Sequence, residues 1–502
     1  SIRIRYKYAQ KPHISDVERM LDGRDKHIQA ALLYDILATL DDKVSMSVKF
    51  APTPARCYQT LAPLRTEDGE PVAIEVAPPL SNREATTPAA SFNNEYAAAV
   101  GRVLSVKNTT VPPGRYVRLA REFVCLLVPE VGRGEPLTAQ QVYEQQKKAK
   151  QRRRLDARWE FIRSNPRLTA RVFVKRETYP APNDPRIIST VGESHNLLLS
   201  CYTLAFKEHL KTTKWYAPGL TPEAIEKRLL EIGYQREIFQ TDYSRFDGTI
   251  STWLRQYIEQ AVYRRWVSEQ HAAELNDLLR AEMKTKCVTP RGFVYETEGA
   301  RLSGSPLTTD GNTIINAFVG YCGNRNSGMS ARDAYDNLGL YAGDDGIGIG
   351  DSAGLQLAAR QLGLSLDLEI IANGPAKFLG RVFDDIHNGS ARSVQDPLRT
   401  IPKLHISTSN VARMEPIQAL VNKAAGYLML DPDAPIVSNW CRKILAIYHN
   451  YDAFLDPEEL PYNAVVLFDV GGADGVAIFK TWNQIEGTRA LEVVSQQLNI
   501  SA

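Results

Sequence analysis

Cysteine is scarce in this 502-residue chain: six residues, Cys57, Cys125, Cys201, Cys287, Cys322 and Cys441, lie far apart and form no Cys-x-x-Cys pair. That spacing argues against a disulfide framework and against a structural zinc site. No apolar run approaches the ~20 residues that a membrane-spanning helix needs. The opening Ser1-Ile2-Arg3-Ile4-Arg5 lacks the apolar core of a signal peptide. It also lacks an initiating Met, so the expectation is a fragment or a processed product. Charge of one sign is missing too: 60 basic and 58 acidic residues leave a net +2, so no global field announces a polyanionic partner. No internal repeat or low-complexity tract is present.

What is present is globular. The hydrophobic fraction of 43% is that of an ordinary folded protein, and the length suggests roughly three domains or several lobes. Residues 15–48 read as largely helical, 50–114 as strands and long loops, and 115–128 as a segment containing a strand. Residues 138–163 read as one long polar helix carrying six basic residues, Lys147, Lys148, Lys150, Arg152, Arg153 and Arg154. Helices are expected at 193–210, 221–232 (Thr221 capping, Pro222 at the first position), 253–262, 309–321, 353–362, 413–430, 437–448 and 486–498. Strands are expected at 173–175, 238–242, 292–295, 366–370 and 378–382.

Against this background one tetrapeptide stands out. Gly343-Asp344-Asp345-Gly346 lies between the apolar stretches 338–341 and 347–349 and reads as the tip of a hairpin. Adjacent carboxylates repel, and a divalent cation relieves that repulsion. About 100 residues earlier, Asp242 ends an expected strand, and Asp247 follows where it could cap the next helix or serve a ligand. Two strands with acidic ends can pair in one sheet and gather three carboxylates around two metal ions. Between them, Ser303-Gly304-Ser305-Pro306 feeds a helix carrying Thr308 and Asn312. Small residues and free N–H groups there suit a phosphate or a sugar, or a plain helix cap. Upstream, Lys175, Glu177 and Arg186 flank a turn-rich insert that suits a triphosphate, or a solvated hairpin. The glycines of Gly346-Ile347-Gly348 suggest a returning strand past which RNA could pass closely, not a dinucleotide loop.

In this order the residues resemble the motifs of the RNA-dependent RNA polymerases of positive-strand RNA viruses. Lys175, Glu177, Arg186 and Ile188 resemble motif F, Asp242 and Asp247 motif A, and Ser303, Gly304, Thr308 and Asn312 motif B. Gly343-Asp344-Asp345 resembles motif C and Lys377-Phe378-Leu379-Gly380-Arg381-Val382-Phe383 motif E. The nodavirus-like replicases look closest, through Gly-Asp-Asp-Gly, Phe378–Phe383 and Gln395-Asp396-Pro397-Leu398-Arg399-Thr400. The resemblance is clear over 170–450 and loose over the first 150 residues.

The resemblance implies an α+β right-hand polymerase with fingers, palm and thumb, closed by fingertip contacts. The implied division is 1–235 for an N-terminal extension and fingers, 236–270 for palm motif A, 271–300 for a fingers insertion, 301–392 for the remaining palm motifs and 393–502 for the thumb and tail. It implies template-directed nucleotide transfer to an RNA 3′-OH, with Asp242, Asp344 and Asp345 holding Mg²⁺, or Mn²⁺ in its place. Asp247, Ser303, Thr308 and Asn312 would recognise the ribose, Gly304 would let the backbone approach the nucleotide closely, and Lys175 and Arg186 would neutralise the triphosphate, with Glu177 orienting these basic residues. Motif D lacks its usual basic residue, leaving Lys377 as candidate proton donor. The basic run 147–154, Arg399 and Lys403 are candidate RNA contacts. Expected partners are RNA template and product, NTPs, other replicase regions and a host membrane surface. The expected location is the host cytoplasm, including membrane-bound replication complexes. A reverse transcriptase or DNA polymerase, or a non-catalytic RNA-binding subunit, is the alternative.

Overall fold

The computed structural model describes residues 71–80, 91–146, 149–156, 168–179, 183–408, 415–451 and 482–499, with the short segments 58–59, 64–65, 87–88, 159, 453, 465–467 and 478–480. The helices expected over 15–48 lie outside the described residues, as do Lys147 and Lys148 and the side chains of Lys150 and Arg154.

Between residues 91 and 128 the chain is more helical than expected. Helix α1, Phe92–Ala99, is capped by Ser91, whose hydroxyl accepts from the Asn94 N–H, and runs into a wide turn, Val100–Leu104. Segment 115–128 contains no strand: it is helix α2, Arg115–Leu127. The helical signal is in the sequence, because Tyr116, Leu119, Ala120, Phe123, Val124 and Leu127 are all buried and recur every three or four residues. The long polar helix is instead two short ones, α3 (Ala139–Gln145) and α4 (Ala149–Asp156), separated where Gln146 turns extended. Among the described side chains of this stretch only Val142 and Leu155 are buried, too little apolar face to hold one continuous rod.

The next elements build two four-stranded sheets. Strands β1 (Thr169–Val174) and β2 (Ile187–Thr190) lead to helices α5 (Glu193–Leu210) and α6 (Pro222–Gly233) and then to β3 (Ile238–Tyr243). After several short helical pieces come helix α7 (Glu269–Ala281), β4 (Lys286–Val288) and β5 (Val294–Glu296). The first sheet has the order β2-β1-β4-β5, with β1 and β4 parallel and the other pairs antiparallel.

The second sheet is the one that matters chemically. Helix α8 (Thr308–Asn326) precedes the hairpin β6 (Leu340–Ala342) and β7 (Asp345–Gly348), and helix α9 (Ser352–Gln361) leads to β8 (Leu366–Ile371). The strand order β6-β7-β3-β8 is antiparallel throughout. Helix α8 is buried at every residue from Asp310 to Asn324. Phe123 of α2 packs its ring 5.6 Å from both Phe318 and Tyr321 of α8.

The strand expected at 378–382 is a hairpin. Strands β9 (Ala376–Phe378) and β10 (Arg381–Asp385) flank a turn in which Leu379 and Gly380 have φ of 52° and 71°. A third strand, β11 (Ser390–Gln395), completes an antiparallel β9-β10-β11 sheet. Helices α10 (Pro416–Leu430), α11 (Val437–Ile447) and α12 (Gly487–Leu498) follow and share a core with Val382 and Val394. The described cysteines, Cys125, Cys201, Cys287, Cys322 and Cys441, are free thiols. Among the described residues no helix is long and apolar enough to cross a membrane.

Candidate active site

The two acidic segments, about 100 residues apart in sequence, are neighbours in the second sheet. Strand β7 pairs with β3 so that Gly346 faces Thr241 and Ile347 faces Gln240. One step further along this register Asp345 comes alongside Asp242, while on the other flank Asp367 of β8 is the direct partner of Asp242. Asp344 occupies the turn, which Gly343 makes possible with a φ of 65°. The glycines of β7 serve the sheet itself: a side chain at Gly348 would meet the Phe239 ring at 2.8 Å, and one at Gly346 the Tyr341 ring at 3.0 Å. The close passage these glycines permit is to neighbouring side chains of the sheet.

The carboxylates feel one another. Burial, then the Asp344 charge, raise the pKa of Asp242 above the usual carboxylate range. Burial, then the charges of Asp344 and Asp242, push Asp345 up to about 7, against the opposing pull of Arg399 and Arg186. Among the described residues no three acidic, histidine or cysteine side chains close into a metal cage. What Asp242, Asp344 and Asp345 do share is an excess of negative charge, and carboxylate oxygens are the donors that suit a hard divalent cation.

Sequence reasoning missed what holds the hairpin tip. Thr313 and Asn316 project from α8 beneath it. The Thr313 hydroxyl accepts from the Gly343 N–H at 2.8 Å and donates to the Thr309 carbonyl. The Asn316 amide nitrogen lies 3.1 to 3.2 Å from the carbonyls of Gly343, Asp344 and Asp345. The signal was the spacing Asn312–Asn316, one helical turn apart at the start of the helix's apolar stretch.

The expected triphosphate residues are brought together. The Lys175 N–H donates to the Arg186 carbonyl at 2.8 Å, closing the base of the insert. Glu177 lies between them, 2.7 Å from Lys175 Nζ and 3.7 Å from Arg186 Nε, and also accepts from the Tyr179 hydroxyl. Burial alone would raise Glu177. The Lys175 hydrogen bond and the Lys175 and Arg186 charges outweigh it and hold the carboxyl below its usual range. Lys403 joins this group: burial, then the Arg399 charge, depress its ammonium, with Glu177, Lys175 and Arg186 also in its field. The guanidinium of Arg399 packs over the Gly380 turn, 2.9 Å from where a side chain would begin.

Of the expected ribose residues, two meet and two are engaged elsewhere. Asp247 does not cap its helix; its Oδ1 accepts from Asn312 Nδ2 at 2.7 Å. Burial raises its pKa, partly countered by that hydrogen bond and by Arg301. Ser303 instead bridges to β2, donating to the Ile187 carbonyl at 3.0 Å and accepting from the Ser189 N–H at 2.9 Å. Gly304 donates to the Ser189 carbonyl, and any side chain there would overlap that oxygen. Thr308 donates to the Leu302 carbonyl at 2.8 Å. The Ser-Gly loop is thus seated on the edge of the first sheet.

The remaining candidates are more dispersed. Lys377 Nζ lies 3.7 Å from Asp396. Arg152 and Arg153 are exposed on α4. His195 contacts buried Glu282 at 3.1 Å, and His209 contacts the Leu127 carbonyl at 2.6 Å.

Comparison with known proteins gives a consistent result. Residues 195–356 match the family model described as viral RNA-dependent RNA polymerase. The chain is 37% identical over 450 residues to an RNA-directed RNA polymerase of Pariacoto virus, covering 87% of this chain and 45% of that protein. It is 35% identical over 521 residues to one from striped jack nervous necrosis virus, covering all of this chain and 51% of that protein. The chain thus spans about half the length of these curated relatives. The crystal structure of the RNA-dependent RNA polymerase of a human picorbirnavirus superposes with a TM-score of 0.55 at 12% identity, covering 91% of this chain and 84% of that one. At that identity the likeness speaks for the right-hand fold.

Proposed function

We infer that this chain, a member of the viral RNA-dependent RNA polymerase family, transfers nucleotides from NTPs to the 3′-OH of an RNA strand as an RNA template directs. The observation that carries the inference is that the sheet brings Asp242, near the end of β3, beside Asp345 of β7 and the turn that holds Asp344, with Arg186 and Arg399 acting on the charge of Asp345. The family uses divalent cations; Mg²⁺, or Mn²⁺ in its place, would be held by Asp242, Asp344 and Asp345 and supply Lewis-acid activation and charge neutralisation. The chain's own residues do the rest. Lys175 and Arg186 neutralise the triphosphate, and Glu177 fixes their orientation through its contacts to both.

Asp247 and Asn312 form the polar pair available to a ribose 2′-OH. A half-buried pair completed by a hydroxyl is left short of a partner by a deoxyribose, and that loss discriminates. The pair supports ribonucleotide use over a reverse transcriptase or DNA polymerase reading. Ser303, Gly304 and Thr308 support the same site by seating the loop that leads into α8. Lys377 is the candidate to protonate leaving pyrophosphate, its ammonium at present facing Asp396. Lys147, Lys148, Lys150, Arg152, Arg153, Arg154, Arg399 and Lys403 are proposed to contact RNA backbone. Other replicase regions and a host membrane surface are proposed partners in the cytoplasm. The test is extension of an RNA primer on a defined RNA template with Mg²⁺ and either NTPs or dNTPs. Extension with NTPs alone is expected. Extension with dNTPs alone favours the alternative polymerase, and RNA binding without extension favours a non-catalytic subunit.

A further inference from the structure

Behind the Asp247–Asn312 pair runs a chain of buried charges that nothing above uses. Arg301 Nε donates to Asn312 Oδ1 at 3.0 Å, and the Arg301 N–H donates to the Asp247 carbonyl at 2.8 Å. The same guanidinium pairs with Glu259. Glu259 in turn lies 3.1 Å from Arg255 Nε, and Arg255 Nη2 lies 2.9 Å from Glu282. Glu282 closes the series with Ser305, whose hydroxyl donates to it at 2.6 Å, and with His195 of α5. The side chains of Arg255, Glu259, Glu282 and Arg301 are fully buried. Two arginines and two glutamates balance in formal charge, so the series is neutral as a unit.

The geometry points to Arg301 as the positioning residue that sets which way the Asn312 amide faces, and so as a determinant of sugar selection. The argument is one of donors and acceptors. A guanidinium only donates, so the Asn312 atom it meets must be the carbonyl oxygen. The amide N–H₂ is thereby turned toward Asp247, which as a carboxylate only accepts. Without Arg301 the amide oxygen loses its donor and the amide is held from one side only, so the Asn312–Asp247 pair loses its fixed place. Glu259 and Arg255 hold Arg301 in register, and Glu282 ties the same unit to Ser305 in the Ser-Gly loop. A glycine in α8 makes room for it: a side chain at Gly311 would overlap Glu259 Oε2 and come within 2.7 Å of Arg301 Nη2. Glycine within a helix costs up to about 1 kcal/mol relative to alanine, and at Gly311, the fourth residue of α8, it admits the ion pair.

This inference rests on the ribose-sensing role proposed above. Its test measures kcat/KM for an NTP and for the matching dNTP, together with RNA affinity, in the wild type, Arg301→Lys and Gly311→Ala. Lysine keeps a cation for Glu259 but cannot hold both Glu259 and Asn312 in the guanidinium fork. Gly311→Ala keeps every charge and displaces the pair. The expected result is a discrimination ratio lower by about tenfold in both variants, equivalent to about 1.4 kcal/mol, with RNA affinity unchanged. An unchanged ratio in either variant that binds RNA normally overturns the role of Arg301. Loss of RNA binding in both variants also overturns it, because the network would then support the fold and not the sugar pair. Failure of the wild type to prefer NTPs would instead strike at the ribose-sensing reading itself.

Discussion

Asn316 supplies the sharpest perturbation of the hairpin. Its amide nitrogen is the shared donor for the carbonyls of Gly343, Asp344 and Asp345, and the residue is 2% exposed. Asn316→Asp preserves shape and leaves no cavity, but replaces the donor with an acceptor. The three carbonyls lose their partner, a penalty of about 1–3 kcal/mol for a buried polar group, and a new carboxylate is placed near a site already short of positive charge. At about 1.4 kcal/mol per decade of rate, displacement of the tip predicts a loss of about 10- to 100-fold in the rate of single-nucleotide addition. The assay is rapid-quench incorporation on a preformed primer–template, with RNA affinity measured in parallel and the metal concentration varied. RNA affinity should not change, because the residue faces the interior. A wild-type rate in Asn316→Asp at saturating RNA and metal would refute the idea that α8 sets the position of Asp344 and Asp345.

Three further outcomes are expected. Asp247→Ala is expected to lower the NTP/dNTP ratio of kcat/KM by about tenfold, and steady-state kinetics with both substrates checks it. Glu282 is held down to about 2 although burial pushes it up, because the His195 hydrogen bond and the Arg255 charge prevail. Its folded pKa is depressed, so its contribution is present above the unfolded value of about 4.5 and is lost as pH falls toward 2, on the order of 3 kcal/mol in all. Acid unfolding followed by circular dichroism should therefore be shallower between pH 5 and 2 in Glu282→Gln, which starts from a lower stability because Arg255 loses its charge partner. Replacing Lys147, Lys148, Lys150, Arg152, Arg153 and Arg154 with neutral residues should weaken RNA binding and flatten its dependence on salt. The slope of log K against log salt should fall by about 0.7 for each lost contact to single-stranded RNA, as read by fluorescence anisotropy.

How much of this was legible depends on the range of the interaction. Helix α5 was expected at 193–210 and spans Glu193–Leu210, and the capped start of α6 at Thr221 is as expected, because caps and periodicity are local. The hairpin at Asp344 was legible for the same reason: Gly343 supplies the left-handed turn between two apolar runs. The α2 segment was misread although its period was visible. Its interspersed arginines hid the fact that Tyr116, Leu119, Phe123 and Leu127 fall on one face. The hairpin at Leu379–Gly380 was missed because one of its two left-handed residues is a leucine, whose conformation is set by its neighbours and not by propensity.

At the site, the acidic residues and Lys175, Glu177 and Arg186 announce their chemistry by type. Their partners do not. Arg301, Glu259, Arg255 and Glu282 are individually ordinary charged residues, spread over 47 positions and joined only when the chain folds. Asp367 is likewise invisible until the register sets it opposite Asp242. Ser303 was expected to face the substrate from its residue type, but the hydroxyl is satisfied by the β2 backbone, a contact across more than 110 residues.

The central claim is that Asp242, Asp344 and Asp345 form one metal-dependent centre for nucleotide addition to RNA. The most direct measurement is primer extension with NTPs and Mg²⁺ by the wild type and by Asp344→Asn, each at matched RNA occupancy. The account predicts extension by the wild type and none by Asp344→Asn, with equal RNA affinity, since the substitution removes a carboxylate at an exposed turn and little else. Extension by Asp344→Asn at the wild-type rate would contradict it.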